Sequence, residues 1–417
     1  MRPTGKKFAV VTAAALAAAL SLTACGGRGS NDSSAIPGVT DSEIILGSSY
    51  PYSGPASAFG TIGKGIATYF DYLNAEKGGV KMGDGKTRKI KFISYDDSYA
   101  PEKQLANAQK LVEQDKVFAT FAMFGTPTHL AAVDYLNAKK VPDVWVNSVS
   151  AQFSVESTKW PFTLAFPPTG QTEVDVLATY LGQTKPDAKI GLLFQNDDTG
   201  KGAVAQLEKN VAGTRMKLVA KESYEVTDPT VDSQVTNLVQ SGADVIWMAV
   251  APKQGAQAIK RSAELKFKGV RIISTTASSV AAVLTPAGLE ASKGLISTAF
   301  TKDASDPKWA SDPDVVEANR IIEKYGKGLK ANDSLALTGI NAAQIMERTL
   351  ERMDEPTRDS LMKTVRTIDP PLQLPLVLPG VTVSTGPDKL LAVTILQVQQ
   401  FDGAAWQSVG EPVSLDQ

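Results

Sequence analysis

One cysteine and one histidine serve a chain of 417 residues, and that scarcity excludes much chemistry. A single thiol cannot close an internal disulfide, and a zinc site built from Cys and His has too few ligands. A histidine-based triad would have to use His129, and no G-x-S-x-G elbow supplies a nucleophile. Neither sign of charge dominates, since 43 Lys plus Arg oppose 44 Asp plus Glu. No basic field is therefore available to hold nucleic acid or an anionic bilayer. No metal, cofactor or nucleic acid is expected, and the partner is a small solute or a protein.

What the N-terminus does contain is ordered like an export signal. Arg2, Lys6 and Lys7 precede an apolar stretch over residues 8–22, which falls short of the ~20 residues a membrane span needs. It ends in Leu22-Thr23-Ala24-Cys25, which resembles the lipobox of bacterial lipoproteins: an aliphatic residue, two small ones and the cysteine that receives lipid. Residues 1–24 are thus read as a signal peptide. Cys25 is read as the lipidation site and the membrane anchor, on the extracytoplasmic face of the cell membrane. Gly, Ser and Asn crowd residues 26–37 without apolar periodicity, so 25–40 is expected to be a lipidated, flexible tether.

From residue 44 onward short β-rich runs alternate with amphipathic helical stretches, the signature of parallel α/β architecture. A strand is expected at 44–48. Ile62, Ile66, Tyr69, Phe70 and Leu73 then recur on one helical face, and Gly78-Gly79 end that helix. The next unit is a strand at 90–95, a helix opening after Pro101 with Leu105, Ala108, Leu111 and Val112 inward, and a buried strand at 117–123. A helix at 127–138 and a strand at 144–147 follow, after which the rhythm fails over 158–162. A crossing between lobes is placed there. Strands at 189–194, 217–224, 244–250 and 270–274 then alternate with helices at 202–211, 230–239 and 254–265. The stretch 94–112 echoes 223–239, which suggests one α/β lobe in each half. A helix at 337–353 and β-hairpin material over 376–406 close the reading, with Asp402-Gly403 as a turn signal.

Adjacent carboxylates stand at Asp96-Asp97 and Asp197-Asp198, where turn and N-cap chemistry outweighs a Ca²⁺ or acid/base pair. Glycines at 60–65 and 200–202 match no phosphate-loop spacing and are assigned to loop–helix packing.

Several stretches, in order, resemble the branched-chain amino-acid binding family, the type I periplasmic binding proteins that deliver solutes to ABC transporters. Residues 47–55 are similar to its first loop and 125–131 to the loop entering the second ligand-facing helix. Residues 196–202 match its N-D-D-Y-G-K-G motif with one change, while 378–381 and 401–403 resemble its closing segment. The resemblance implies two Rossmann-like α/β lobes with parallel central sheets joined by a multi-strand hinge. The lobes are expected to divide as 41–162 and 297–375 for the first, and 163–296 with a hinge and C-terminal segment at 376–417 for the second.

By the same resemblance Thr126, Ser148 and Ser150 match positions that hold a ligand carboxylate, and Phe59 matches an aromatic wall. Thr199, in place of the motif's tyrosine, falls on the second-lobe side of the site. His129 is read as a solvated or capping residue rather than a ligand contact. Residues 275–279, where amino-acid binders carry an acidic partner for the α-ammonium, contain no carboxylate, and a desolvated ammonium without counter-charge is costly. A carboxylate-bearing or neutral polar solute is therefore expected rather than a branched-chain amino acid. The implied role is a monomeric, non-enzymatic solute catcher that closes on its ligand and docks on an ABC-transporter permease. A sensory receptor of the same fold ranks second, and a carboxylate-based envelope hydrolase third.

Overall fold

The computed structural model describes residues 36–155 and 158–415. The expected signal peptide, Cys25 and most of the expected tether lie outside the described residues. The last part of that segment, residues 36–40, is folded: Val39 bridges to Ile44, and the Ile45 amide donates to the Gly38 carbonyl at 2.8 Å. Gly38 has φ +73°, and a Cβ there would lie 2.2 Å from the Phe118 nitrogen, so only glycine fits this turn.

A first sheet of six strands comprises β1 (Glu43–Tyr50), β2 (Val80–Lys81), β3 (Thr87–Asp96), β4 (Ala119–Phe121), β5 (Asp143–Val146) and β6 (Thr163–Ala165), in the order β2-β3-β1-β4-β5-β6. All pairings are parallel except the short β2. Helices α1 (Gly60–Tyr72), α2 (Pro101–Glu113), α3 (Thr126–Ala138) and the single turn α4 (Gln152–Val155) belong to this part of the chain. With helices on both faces, the central strands β4 and β5 are buried along their whole length.

The chain then passes to a second sheet through helix α5 (Gly170–Thr184). This sheet contains β7 (Lys189–Gln195), β8 (Lys217–Tyr224), β9 (Val245–Ala249), β10 (Val270–Ile273) and β11 (Leu295–Ala299). These alternate with α6 (Asp198–Val211), α7 (Asp232–Gln240) and α8 (Pro252–Glu264), and with the short α9 (Thr285–Ala287) and α10 (Leu289–Ser292). The order β8-β7-β9-β10-β11 repeats the order β3-β1-β4-β5-β6 of the first sheet, which is the structural basis of the echo between 94–112 and 223–239.

After β11 the chain returns to the first lobe as α11 (Pro313–Tyr325), α12 (Ser334–Arg352) and α13 (Arg358–Val365). The return is tight. A Cβ on Gly65 of α1 would approach the Ala336 carbonyl oxygen to 2.3 Å, and one on Gly339 of α12 would approach that of Ile62 to 2.1 Å. Trp145 of β5 donates to Thr349 Oγ1 at 3.0 Å, fixing α12 against the sheet. The chain finally re-enters the second sheet as β12 (Ile395–Phe401), antiparallel to β11, with β13 (Trp406–Ser408) and β14 (Val413–Ser414) pairing on β12. Three passages therefore join the lobes: after β6, after β11 and after α13.

The expected helical face of α1 is observed, with Ile62, Ile66, Tyr69, Phe70 and Leu73 all buried. On α2 the pattern is shifted: Ala108 and Leu111 are buried, Leu105 and Val112 only partly, and Gln104 is fully buried instead. The hairpin expected over 376–406 begins only at β12; residues 376–394 are irregular and held by isolated bridges such as Thr301 to Val377. Their apolar side chains, Leu376, Val377, Val381 and Val383, pack into the main core rather than into a ladder.

Candidate functional site

In open α/β sheets, ligands bind beyond the carboxyl ends of strands where the strand order reverses. Here each sheet has such a crevice, between β1 and β4 in the first and between β7 and β9 in the second. The two crevices face one another across a cleft. From the first lobe come the loop before α1, carrying Phe59, and the loop between β4 and α3, carrying Phe124 to Thr126. From the second come Asp197, which caps α6, Thr199 in the first turn of α6, and the β9–α8 loop around Val250.

The first-lobe wall is aromatic. Phe59 and Phe124 pack with ring centroids 4.6 Å apart, and Tyr99 stands 6.2 Å from Phe124. Phe59 is thus mostly buried while its remaining surface lines the cleft. Beside it, Thr126 Oγ1 and Ser148 Oγ share a hydrogen bond of 2.7 Å. Thr126 opens α3, whose first-turn amides lack intrahelical partners. Pro127 has no amide to offer and the His129 amide bonds the Gly125 carbonyl, leaving the amides of Thr126 and Thr128 as the free donors of that turn. Ser150 stands behind the wall: it is buried, and its amide donates to Ser148 Oγ at 3.2 Å. Four of the five expected ligand-facing residues, Phe59, Thr126, Ser148 and Thr199, line one chamber, and Ser150 does not.

On the second-lobe side Asp197 caps α6, accepting from the Gly200 amide at 2.9 Å and from Gln195 Nε2 at 2.6 Å. Asp97, the other carboxylate singled out, accepts from Ser49 Oγ, the Tyr99 amide and Gln104 Nε2 at 2.7, 2.8 and 3.1 Å. Burial raises both carboxyls above the usual range. Both do the turn and capping work expected of them, and no cluster of metal-ligating side chains occurs among the described residues.

The residue missed in the sequence is Glu173. It lies one turn into α5, whose N-cap Thr169 accepts from the Thr172 amide at 3.0 Å, and it projects into the middle of the cleft. Its carboxylate accepts from the Thr275 amide at 3.0 Å, so the segment 275–279, devoid of carboxylates itself, does meet one in space. Burial pushes the Glu173 carboxyl up to about 7, against the opposing effect of its bonds to Thr275. The signal was present: Thr169 as a cap, then Val174, Leu177, Ala178 and Leu181 at helical spacing.

His129 corrects the reading made of it. It is neither solvated nor a cap but fully buried, with Nε2 2.7 Å from Asp143 Oδ2 and Nδ1 3.2 Å from Gln104 Oε1. Asp143 in turn accepts from Thr120 and Thr163, both at 2.9 Å. The far end of Gln104 donates to the Phe124 carbonyl at 2.8 Å, which also accepts from Thr128 Oγ1 at 2.7 Å. This buried chain pins the Phe124–Thr126 loop, so His129 acts on the site through the loop's position.

Two lobes of this topology, three connections and an aromatic and hydroxyl-lined cleft between them define a bilobal solute-binding protein. The periplasmic binding protein family model matches residues 43–400, and the chain belongs to that family. Its relatives include Leu/Ile/Val-binding protein homolog 8 of Brucella abortus, 22% identical over 340 residues that cover 79% of this chain and 81% of the relative. Among solved structures, a branched-chain amino acid ABC transporter protein from Thermus thermophilus with bound valine superposes with a TM-score of 0.78 at 16% identity, covering 91% of this chain and 98% of that one. A solute-binding protein from R. palustris in complex with 4-hydroxybenzoate gives 0.72 at 18% identity, covering 89% and 97%. These are binding proteins rather than enzymes, and the family's work is extracytoplasmic. No helix among the described residues is long and apolar enough to cross a membrane.

Proposed function

We propose that this protein captures a small carboxylate-bearing solute between its lobes and presents it to an ABC-transporter permease, working as a monomer held at the membrane by lipid on Cys25. The lobes in this reading follow the expected bounds, 41–162 with 297–375 and 163–296 with 376–417, except that the first lobe keeps β6 to Ala165 and the second keeps β11 to Ala299. The observation that carries the ligand class is the Thr126–Ser148 hydroxyl pair, set beside the open amides at the start of α3, a combination of donors suited to an anionic oxygen. Phe59 and Phe124 give the solute's apolar part a wall, and Thr199 faces it from the second lobe.

Glu173 decides how the site treats an α-ammonium. With burial holding its carboxyl up at about 7, it divides between protonated and ionised forms near neutrality, and the protonated form suits a hydroxyl or carbonyl group. The fold neighbours with valine and with 4-hydroxybenzoate bound bracket the choice, and the site's balance favours the second kind of solute. Closure follows because a ligand touching both lobes binds the closed state better than the open one. A thermal-shift screen of the mature domain from Gly26 against amino acids, amides, aromatic acids and sugars tests this, since a ligand of the folded state raises its melting point. Tight calorimetric binding of leucine, isoleucine or valine would overturn the ligand assignment.

A further inference from the structure

The cleft does not end at Glu173. Beyond a neck formed by Phe59, Phe124, Asn147, Val149, Glu173 and Thr276, which border both spaces, it opens into a second chamber on the hinge side. The chamber holding Thr126 and Ser148 encloses about 860 Å³ with its mouth included, and the second about 1260 Å³. The larger space is thus the one to which no part of a small solute has been assigned.

The two chambers differ in chemistry. The second is walled by Ile62 and Leu335 of the first lobe, Phe300 and Leu378 of the hinge passages, and Trp309 and Trp406. Its buried charged groups are already engaged with neighbouring side chains or the backbone, while the ammonium of Lys308, an exposed residue, lies 3.4 Å from Ser408 Oγ and 4.9 Å from the Trp309 ring centroid. Lys302 Nζ lies 2.8 Å from Asp312 and 3.1 Å from Asp314, Asp303 accepts from Ser305 Oγ at 2.7 Å, and Asp306 accepts from the Lys308 amide at 2.9 Å. Across its roof Ser279 of the second lobe and Ser334 of the first satisfy each other at 2.7 Å. Apart from the exposed Lys308, the open donors are at the other end, at the start of α3. An ionised head therefore suits the first chamber, and the tryptophans, Phe300 and aliphatic walls of the second suit an apolar tail.

We infer that the solute is an elongated amphipathic acid whose carboxylate head sits at Thr126 and Ser148 and whose apolar tail passes Glu173 into the second chamber, against Trp309 and Trp406. This rests on the carboxylate reading of the first chamber and extends it to the length of the ligand. The neck is compatible with such a tail: two of its members are phenylalanines, and burial favours the uncharged form of Glu173.

The test is calorimetric titration of the full chain with ω-phenylalkanoates of increasing length, from phenylacetate to 6-phenylhexanoate. The same series is run on Thr338→Phe and Ser408→Trp, which place bulk in the second chamber from opposite lobes, with melting points confirming that each is folded. The expected result is an affinity that rises with length in the parent protein by about fourfold per added methylene at most, and a series flattened in both variants. A series as steep in both folded variants as in the parent overturns the inference. An affinity that is flat or falls beyond phenylacetate overturns it too, while leaving the carboxylate site standing. If no acid of any length binds, both readings fall.

Discussion

Replacing Glu173 by Gln removes one ionisable group from the middle of the cleft while keeping the acceptor that the Thr275 amide uses at 3.0 Å. Burial moves this carboxyl from its ordinary 4.5 to about 7. Between those pH values the folded protein keeps a proton that the unfolded chain has released. The folded state then binds more protons, and stability falls as pH rises through the window. At about 1.4 kcal/mol per pH unit the contribution is about 3 kcal/mol, fully present below pH ~4.5 and gone above pH ~7. Asp97, Asp197 and Asp303 are shifted in the same direction by burial, so the parent protein's slope alone is not diagnostic. The difference between parent and Glu173→Gln is. Urea denaturation of the ligand-free proteins between about pH 4.5 and 8 should show the parent losing about 3 kcal/mol more than the variant. Parallel stability curves would refute the assignment of a displaced titration to Glu173. The same logic separates ligand classes: affinity for a solute that uses the protonated carboxyl falls as pH rises through ~7, whereas affinity for an ammonium-bearing solute rises.

Four further outcomes are expected. Thr126→Ala and Ser148→Ala should each weaken binding of a carboxylate solute by about 1–3 kcal/mol, and the double variant should cost less than the sum because the two hydroxyls bond each other; calorimetry reads both. His129→Leu strands buried oxygens of Asp143 and Gln104, which should lower stability by about 2–3 kcal/mol in urea titration; an unchanged midpoint would contradict the bracing role given to this residue. Gly339→Ala drives a methyl group into the Ile62 carbonyl, and overpacking of this kind costs about 1–3 kcal/mol, visible as a lowered melting point. Ser334→Ala removes an interlobe bond worth about 1 kcal/mol. Loss of that bond from the closed, ligand-holding state should lower ligand affinity about fivefold by calorimetry, and an unchanged affinity would count against a role for the bond in closure.

Much of the fold was legible because its signals are local. The buried stripe on α1 follows from the spacing of Ile62, Ile66, Tyr69 and Phe70, and the capping role of Asp197 from its place before a helix. The site residues could be named through resemblance, and the structure gathers Phe59, Thr126 and Ser148 of the first lobe with Thr199 of the second at one chamber. What escaped depends on partners distant in sequence. Gln104 sits inward in place of Leu105 because Asp97, His129 and the Phe124 carbonyl give its amide partners, and no periodicity rule anticipates a polar side chain there. His129 looked like a helix-start residue until Asp143 was seen to face it. Residues 376–394 have the composition of strands, yet they pair only at isolated bridges while their apolar groups pack into the main core. Glu173 was lost with its helix, because the failing rhythm over 158–162 hid a regular pattern that begins a few residues later.

The threefold passage of the chain between lobes has a consequence for the order in which the protein can form. The apolar face of α1 is covered by α12, nearly 280 residues further along, and the indole of Trp145 waits for a partner 204 positions away. The first sheet can be complete on paper once β6 has emerged, but its α1 face stays bare until α12 has been made. In the second sheet β11 likewise has β10 on one side only until β12 arrives. Neither half can finish alone, so contacts of high sequence separation must form late and together, which favours slow folding through exposed intermediates. While the chain is still growing, two unfinished halves stand together, and each is completed by the segment that leaves the other.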